Sequence, residues 1–329
     1  MLLTGTANPF LILLLALALD FALGDVSGVW RVLPHPVAWV GGAIAFLDRR
    51  LNRIERSDGA RRIRGILSVA ILCLGALMLG AAIEGWLMLI PHGWIAEVVV
   101  VALLMAQRSH FDRVAAVATA LNRDGLQGGR AAVRHISDGR DPDSLDEHGV
   151  ARAAIESLAE NFSDGVVAPA LFYSVAGLPG LLLCKTASTL DRMIGHRSPR
   201  YLQFGWAAAR FDDLLTLVPA RLAALLLVLA ALILPRANGR AALATMLTDA
   251  RKHRSPNAGW PEAAAAGALG LALGGPRQHG GSIVQDAWLG AGRARTTAAD
   301  IGAALKLYLA ACLVQATLVL LALLATPFR

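Results

Sequence analysis

Cysteine is scarce in this chain: three in 329 residues, at Cys73, Cys184 and Cys312. Each lies in an apolar stretch and none is near another in sequence. That excludes a disulfide framework and a paired C-x-x-C site, and leaves three small packing residues. There is no G-x-x-x-x-G-K-[ST] run, so a Walker-type phosphate cradle is excluded, and no H-E-x-x-H. The glycines between 267 and 275 sit in an apolar run with no strand before them. They fit close helix packing better than a dinucleotide fingerprint. No solenoid repeat, low-complexity tail or heptad array is present. No Lys or Arg precedes the first apolar run and no clean small-x-small site follows it. It therefore reads as a retained first membrane helix rather than a secretory signal.

What the chain has in excess is apolar sequence. Hydrophobic residues make up 56% and the mean hydropathy is +0.54, above what a soluble domain carries. The excess is gathered into runs at 9–23 (interrupted by Asp20), 66–90, 94–106, 214–234 and 303–325. Two further runs are weaker. Residues 166–184 carry Pro169, Gly177, Pro179 and Gly180, and 263–275 is short and Ala/Gly/Leu-rich. Such stretches are re-entrant or are buried between other helices. The expected fold is an all-α polytopic membrane bundle, one integral-membrane domain over 1–329 with a large helical cytoplasmic loop at about 107–165.

The net charge of +7 comes mostly from Arg placed between apolar runs. That pattern follows the positive-inside rule rather than the basic stripe of a nucleic-acid binder, so no nucleic-acid partner is expected. Arg49, Arg50, Arg53, Arg56, Arg61, Arg62 and Arg64 precede the second run, whereas the Pro91-His92-Gly93 turn after it has no basic residue. The first loop is therefore expected to be cytoplasmic and that turn external. Topology past residue 165 stays open, because 185–213 and 236–260 are both basic. Within the polar stretch, Ser144-Leu145-Asp146-Glu147 reads as a capping box. The helix after it should bury Val150, Ala154, Ile155, Leu158 and Phe162 and expose Arg152, Glu156, Glu160 and Ser163. Gly165 is expected to end it as a left-handed cap.

Five polar clusters flank the apolar runs: Gly24-Asp25 with His35-Pro36; Glu156 to Gly165; Lys185-Thr186 to Asp191; Arg210 to Arg221, including Asp212 and Asp213; and Ser255 to Glu262, including Asn257. Glu156 and Glu160 are one turn apart, so their charges repel unless a cation lies between them. With Asp164, Asp191, Asp212 and Asp213 they offer hard oxygen ligands suited to Mg²⁺ on phosphates. Lys185 and Arg221 suit phosphate oxygens. Plainer readings stand beside these. Arg152 and Glu156 make an i,i+4 salt pair on a solvated face. Asp212 and Asp213 are interfacial charge or a cap, Lys185 snorkels, and His35 is a turn residue. Asp20, Glu84 and Glu97 lie in or at the ends of early spans, where acids default to functional.

Taken together, the clusters resemble one family closely. The matching text is GDVSGVWRVLPHPVAWVGGAI, ISDGRDPDSLDEHGVARAAIESLAENFSDGVVAPALFY, GLPGLLLCKTASTLDRMIGHRSPRYLQFGWAAARFDDLLTLVPARL and SPNAGWPEAAAAGALGLALGG. It resembles the cobalamin-biosynthesis membrane proteins called CobD or CbiB, the adenosylcobinamide-phosphate synthases, from about residue 24 to 275. It departs from their pattern at Val26, at Ser188 and at Leu214 to Thr216. The resemblance implies an ATP-dependent amide ligase of the inner membrane. That enzyme joins (R)-1-amino-2-propanol or its O-phosphate to adenosylcobyric acid, with Mg²⁺ and ATP, and soluble corrinoid-pathway enzymes are possible further partners. It implies Glu156, Glu160, Asp164 and Asp191 around Mg²⁺ and phosphate. Lys185 and Arg221 would hold phosphate, Asn161 and Asn257 would bind corrin amides, and Glu262 or His35 would serve as base. Asp212 and Asp213 join the substrate-binding set. A transporter and a non-catalytic membrane scaffold are the readings from other classes.

Overall fold

In a computed structural model of the chain, the structure describes residues 7–24, 36–136, 141–279 and 282–326. His35 and Asp25 lie outside the described residues. The helices are α1 (Pro9–Leu23), α2 (Pro36–Leu51), α3 (Asp58–Met88), α4 (Gly93–Leu104), α5 (Gln107–Val133), α6 (Glu147–Phe162), α7 (Ala168–Ile194), α8 (Trp206–Leu215), α9 (Leu217–Ile233), α10 (Gly239–Asp249), α11 (Gly259–Leu269) and α12 (Ala298–Ala325). The all-α membrane bundle expected from the sequence is what forms. Four helical paths are long and apolar enough to cross a bilayer: Asp58–Met88, Gly93–Val133, Glu147–Ile194 and Ala298–Ala325. Trp206–Leu215 with Leu217–Ile233, interrupted at Thr216, makes a fifth, broken candidate. The chain is a multi-pass membrane protein.

Local chemistry sets the helix starts. Pro9 opens α1 behind Asn8, whose side chain accepts the Phe10 N–H at 2.9 Å. Asn238 caps α10 by accepting from Ala241 N at 3.0 Å. The expected capping box is displaced by two residues. Asp146 is the N-cap of α6 and accepts Gly149 N–H at 2.7 Å, while Ser144 closes a short 3-10 turn by donating to Asp141 O at 2.7 Å. Nor does Gly165 end the helix. The backbone continues from α6 through a π turn, Ser163–Val167, straight into α7, and Gly165 is not among the positive-φ residues. Apolar sequence on both sides lets the helix run on where the Asn-x-Ser-Asp-Gly text reads locally as a stop.

Contacts gather into two compact units. The first holds residues up to Met105, Ala168–Thr216 and the C-terminal end from Leu323. Its spine is α3 against α7. Val69, Cys73, Ala76, Gly80 and Leu87 form the buried stripe of α3, while Ile71, Leu74, Met78 and Leu79 are exposed, as a lipid-facing side requires. A Cβ built on Gly80 would lie 2.5 Å from Pro179 Cα and 2.6 Å from Pro179 N, so the backbones meet there only because Gly80 has no side chain. The break expected from the Gly/Pro content of 166–184 is present. Ala176 and Gly177 leave helical geometry, Gly177 at φ 59°. In the same unit, buried Asp48, Asn52 and Arg61 form a polar network that ties the exposed Arg200 to α2 and α3. Arg200 donates to Asp48 at 2.8 Å, Asn52 to Asp48 at 2.9 Å, and Arg61 to Asn52 at 3.1 Å.

The second unit holds Ala106–Val167 and Leu217–Ala322. Its core joins α5, α6, the π turn, α9, α10, α11 and α12, with Phe162 edge-on to Tyr308 at 5.4 Å. The 263–275 run does not form a single span. α11 ends at Gly270 in the left-handed conformation (φ 64°). The chain then makes two small antiparallel ladders that the sequence pattern does not announce. β1 (Leu273–Gly274) pairs with β4 (Trp288–Leu289), and β2 (Arg277–His279) with β3 (Ser282–Val284). Ala263 to Ala266 are buried, as expected for a stretch packed between other helices.

Candidate functional site

The acid-rich helix α6 buries Val150, Ala154, Ile155, Leu158 and Phe162, as its pattern requires. Its other side is not the solvated face expected. Glu156 is 3% exposed and Ser163 2%, and of the four residues assigned to that side only Glu160 is exposed. The difference comes from the segment after α11, which covers α6. Glu156 Oε1 accepts the Gly274 N–H at 2.6 Å. The Arg152 guanidinium is directed to the Trp288 ring at 5.0 Å and the Ala294 carbonyl at 3.4 Å. Arg152 and Glu156 thus each tie α6 to this segment. His148 and Thr296 add a third: the Thr296 hydroxyl donates to His148 O at 2.7 Å, and His148 Nδ1 lies 2.8 Å from Thr296 O.

Toward the π turn the polar side chains divide by task. Ser157 donates to Ile136 O at 2.9 Å, and Asn161 donates to Ser157 O at 2.8 Å. Each of these bonds ends on a backbone carbonyl of the same unit. Glu160 and Asp164 are the other carboxylates of this stretch, Glu160 exposed and Asp164 half-buried. Among the described residues, no group of three or more His, Cys, Asp or Glu side chains is set to hold a metal ion. The expected trio of Glu156, Glu160 and Asp164 is therefore not a preformed cage, since Glu156 is turned to Gly274. Two carboxylates four residues apart still fit Mg²⁺ that arrives with phosphates, which needs only one or two protein ligands.

A second polar group in the same unit forms at the start of α11. Arg221, on α9, donates to Asn257 Oδ1 at 2.9 Å and lies 4.6 Å over the Trp260 ring. The sequence-selected Arg221 and Asn257 are thus brought together, with the Trp260 face beside the guanidinium. Glu262, in the first turn of α11, is 4% exposed and has His253 Nε2 at 3.9 Å from its Oε2. Ser255 N–H donates to His253 Nδ1 at 3.0 Å. The ring's Nε2 faces Glu262.

The remaining expected residues belong to the first unit. Lys185 and Asp191 are both on α7, six residues apart and so about 120° apart around the helix. Lys185 is half-buried, and its carbonyl accepts the Thr189 hydroxyl at 2.7 Å. Asp212 and Asp213 are on α8. Asp213 pairs with Arg210 at 2.9 Å, and the Asp212 carbonyl takes both the N–H and the hydroxyl of Thr216. The early intramembrane acids have identifiable neighbours. Tyr173 donates its hydroxyl to Glu97 at 2.7 Å, and the Glu84 carboxylate packs on Gly177 at the break in α7.

A model of the family described as CobD/Cbib protein matches residues 13–308. This chain belongs to the CobD/Cbib family. Relatives carrying the name Cobalamin biosynthesis protein CobD include one from Sinorhizobium sp. It is 51% identical over 313 residues, 94% of this chain and 97% of that protein. One from Rhizobium meliloti (strain 1021) is 50% identical over 316 residues, 94% of this chain and 95% of that protein. One from Rhodobacter capsulatus is 46% identical over 301 residues, covering 90% and 91%. No solved structure matches. In this CobD/Cbib chain the sequence reading passed over His110, His253 and Trp288. His253 stands two residues before the Ser255-Pro256-Asn257 text, a proximity that marks it in retrospect. His110 has no such local signal. It reaches the Glu156–Gly165 segment only by the packing of α5.

Proposed function

We propose that this chain acts in cobalamin biosynthesis as an ATP-dependent amide ligase of the inner membrane, joining (R)-1-amino-2-propanol or its O-phosphate to the free carboxyl of adenosylcobyric acid. The observation that carries the reading is the match to the CobD/Cbib family across the segment that holds Glu160, Asn161 and Asp164. The physical logic supports it. A carboxylate is a poor acyl donor because oxide is a poor leaving group, so the carboxyl is first phosphorylated and the amine then displaces phosphate. ATP supplies the phosphoryl group, and Mg²⁺ supplies charge neutralisation at phosphate oxygens.

Glu160 and Asp164 are the residues that would hold that Mg²⁺. Arg221, over the Trp260 ring and bonded to Asn257, suits a phosphate oxygen, and its planar fork makes it unlike lysine there. The Asn257 and Asn161 amides suit the corrin periphery. Glu262 and His35 are the motif's candidates for receiving the amine's proton. Lys185, Asp191, Asp212 and Asp213 are assigned by motif alone. The test uses purified protein in detergent with adenosylcobyric acid, each amine and ATP–Mg²⁺. Amide formation with ATP consumption is expected. Corrinoid movement across vesicles without amide would favour a transporter. Neither activity would leave the scaffold reading.

A further inference from the structure

The first unit carries a basic stretch next to an exposed apolar ridge, and neither enters the ligase reading. Between residues 48 and 64 the chain has seven arginines against Asp48, Glu55 and Asp58. Asp48 is already taken by Arg200 and Asn52. Arg62 stands apart from the other arginines. It is exposed near the start of α3, and its guanidinium carbon lies 3.7 Å over the Trp206 ring. Among the described residues it makes no ion pair or hydrogen bond. A guanidinium on an aromatic face still has its N–H donors, which lie in its own plane, for an anion.

The turn before α8 is pressed onto the start of α3. A carbon added to Gly65 would fall on the Phe204 carbonyl, so the backbones touch there. Arg61 donates to the Arg200 carbonyl, and Gln203 Nε2 donates to Asp58 at 3.4 Å. These ties hold Trp206, the first residue of α8, beside Arg62. From Arg62 the i,i+4 row of α3 runs through Ile66, Ala70, Leu74 and Met78, and every member is exposed. Such a row is a continuous ridge on a helix surface. From Ile66 to Met78 it rises about 18 Å at 1.5 Å per residue. The hydrocarbon of one leaflet is about 15 Å deep, half of the bilayer's core. The ridge is therefore long enough for one acyl chain whose headgroup is at Arg62. Tryptophan collects at that level, between headgroup and chain.

We propose that Arg62 and Trp206 form a site for the headgroup of an anionic phospholipid, with one acyl chain along the ridge from Ile66 to Met78. The headgroup phosphate accepts the Arg62 N–H donors. The occupant is a lipid because the charge and the apolar ridge are continuous on one helix, and a soluble anion would use only the charge. It is anionic because a zwitterionic headgroup brings no net charge to a stretch so rich in arginine. The site is independent of the ligase reading.

The experiment titrates phosphatidylglycerol into the full-length protein in neutral detergent and follows the first lipid bound by native mass spectrometry. Phosphatidylcholine is the comparison. Wild type should bind phosphatidylglycerol more tightly, and the preference should shrink as salt is raised. Arg62→Ala should weaken phosphatidylglycerol binding about five-fold and leave phosphatidylcholine binding unchanged. Arg62→Lys keeps the charge and should lose less. Arg123→Ala removes the same charge from α5 and should bind as wild type does. Equal affinity of wild type for the two lipids would overturn the proposal, and that arm needs no variant to fold. So would wild-type affinity in Arg62→Ala, or an equal loss in Arg123→Ala, which would reduce the effect to net charge. Displacement of the lipid by glycerol 3-phosphate at matched concentration would overturn it by making the ridge irrelevant. Disulfide-linked dimers of Leu74→Cys in oxidised membranes would overturn it by showing that a second copy covers the ridge.

Discussion

Glu156 and Glu160 sit one helical turn apart, yet their surroundings predict opposite phenotypes. Glu156 is buried and its carboxylate holds the Gly274 N–H at 2.6 Å. Gly274 has φ 75° and belongs to the ladder that covers α6. Glu156→Ala removes a charge-assisted hydrogen bond and leaves that N–H unsatisfied, a loss of about 1.5–3 kcal/mol. The side chain's own packing adds to it, so about 2–4 kcal/mol is expected in all. That is a large part of the roughly 5–15 kcal/mol that holds an ordinary domain. The variant should melt early in detergent and accumulate poorly in membranes. Glu156→Gln retains an acceptor oxygen and should lose less. Glu160 is exposed, so Glu160→Gln should leave stability within about 0.5 kcal/mol. If Glu160 holds Mg²⁺ or developing charge, that change should cost about 10²–10³ in rate, with partial rescue at raised Mg²⁺. The assay is a thermal midpoint and a turnover rate for each purified variant, across a Mg²⁺ titration. A Glu156→Ala protein as stable as wild type would refute the clamp. A Glu160→Gln protein as active as wild type would refute the site.

The close crossing at Gly80 predicts that Gly80→Val drives α3 off Pro179, costing about 1–3 kcal/mol of overpacking. Gly75→Val and Gly85→Val, where no atom lies within 4 Å of the added carbon, should accumulate normally on immunoblots of membranes. Burial alone would raise the carboxyl pKa of Asp249. The Lys252 ammonium at 2.6 Å, the Gly290 N–H at 2.8 Å and the Thr248 hydroxyl outweigh it and hold the pKa below the usual 3.8. A depressed pKa stabilises above the unfolded value and is lost as pH falls through the folded one. Wild type should therefore melt above Asp249→Asn at neutral pH, and the two midpoints should converge only below pH 3.8. A gap that does not close in acid would contradict this. Finally, the protein should resist carbonate extraction, and a reporter placed after Arg56 should read cytoplasmic. Release by carbonate would contradict the long apolar helices, and a periplasmic signal the arginine rule.

The helical membrane architecture was legible because it follows from quantities local in sequence. Run length against bilayer thickness picks out the long apolar spans, a 3.6-residue apolar stripe marks the buried side of α6, and the Gly/Pro content of 166–184 sets that stretch apart from a plain straight span, as the departure from helical geometry at Ala176–Gly177 does. The family was legible for the same reason, since its polar text is continuous. Local sequence also misled where two signals competed. Asn161 to Gly165 looks like a helix stop, but apolar chain on both sides carries the backbone through a π turn. What only the tertiary structure decided is which polar groups are structural. A wheel assigns Glu156 to solvent because it cannot know that residues from the far side of α11 return to cover it. That return rests on Gly274, a glycine whose backbone N–H is as much a partner as any side chain. His110, more than fifty residues before Gly165, meets it only through the packing of α5 on α6 and the π turn. Spacing along a chain fixes which residues share a helix face. It does not fix which face of another helix arrives there, because that depends on how distant segments bury their apolar surface.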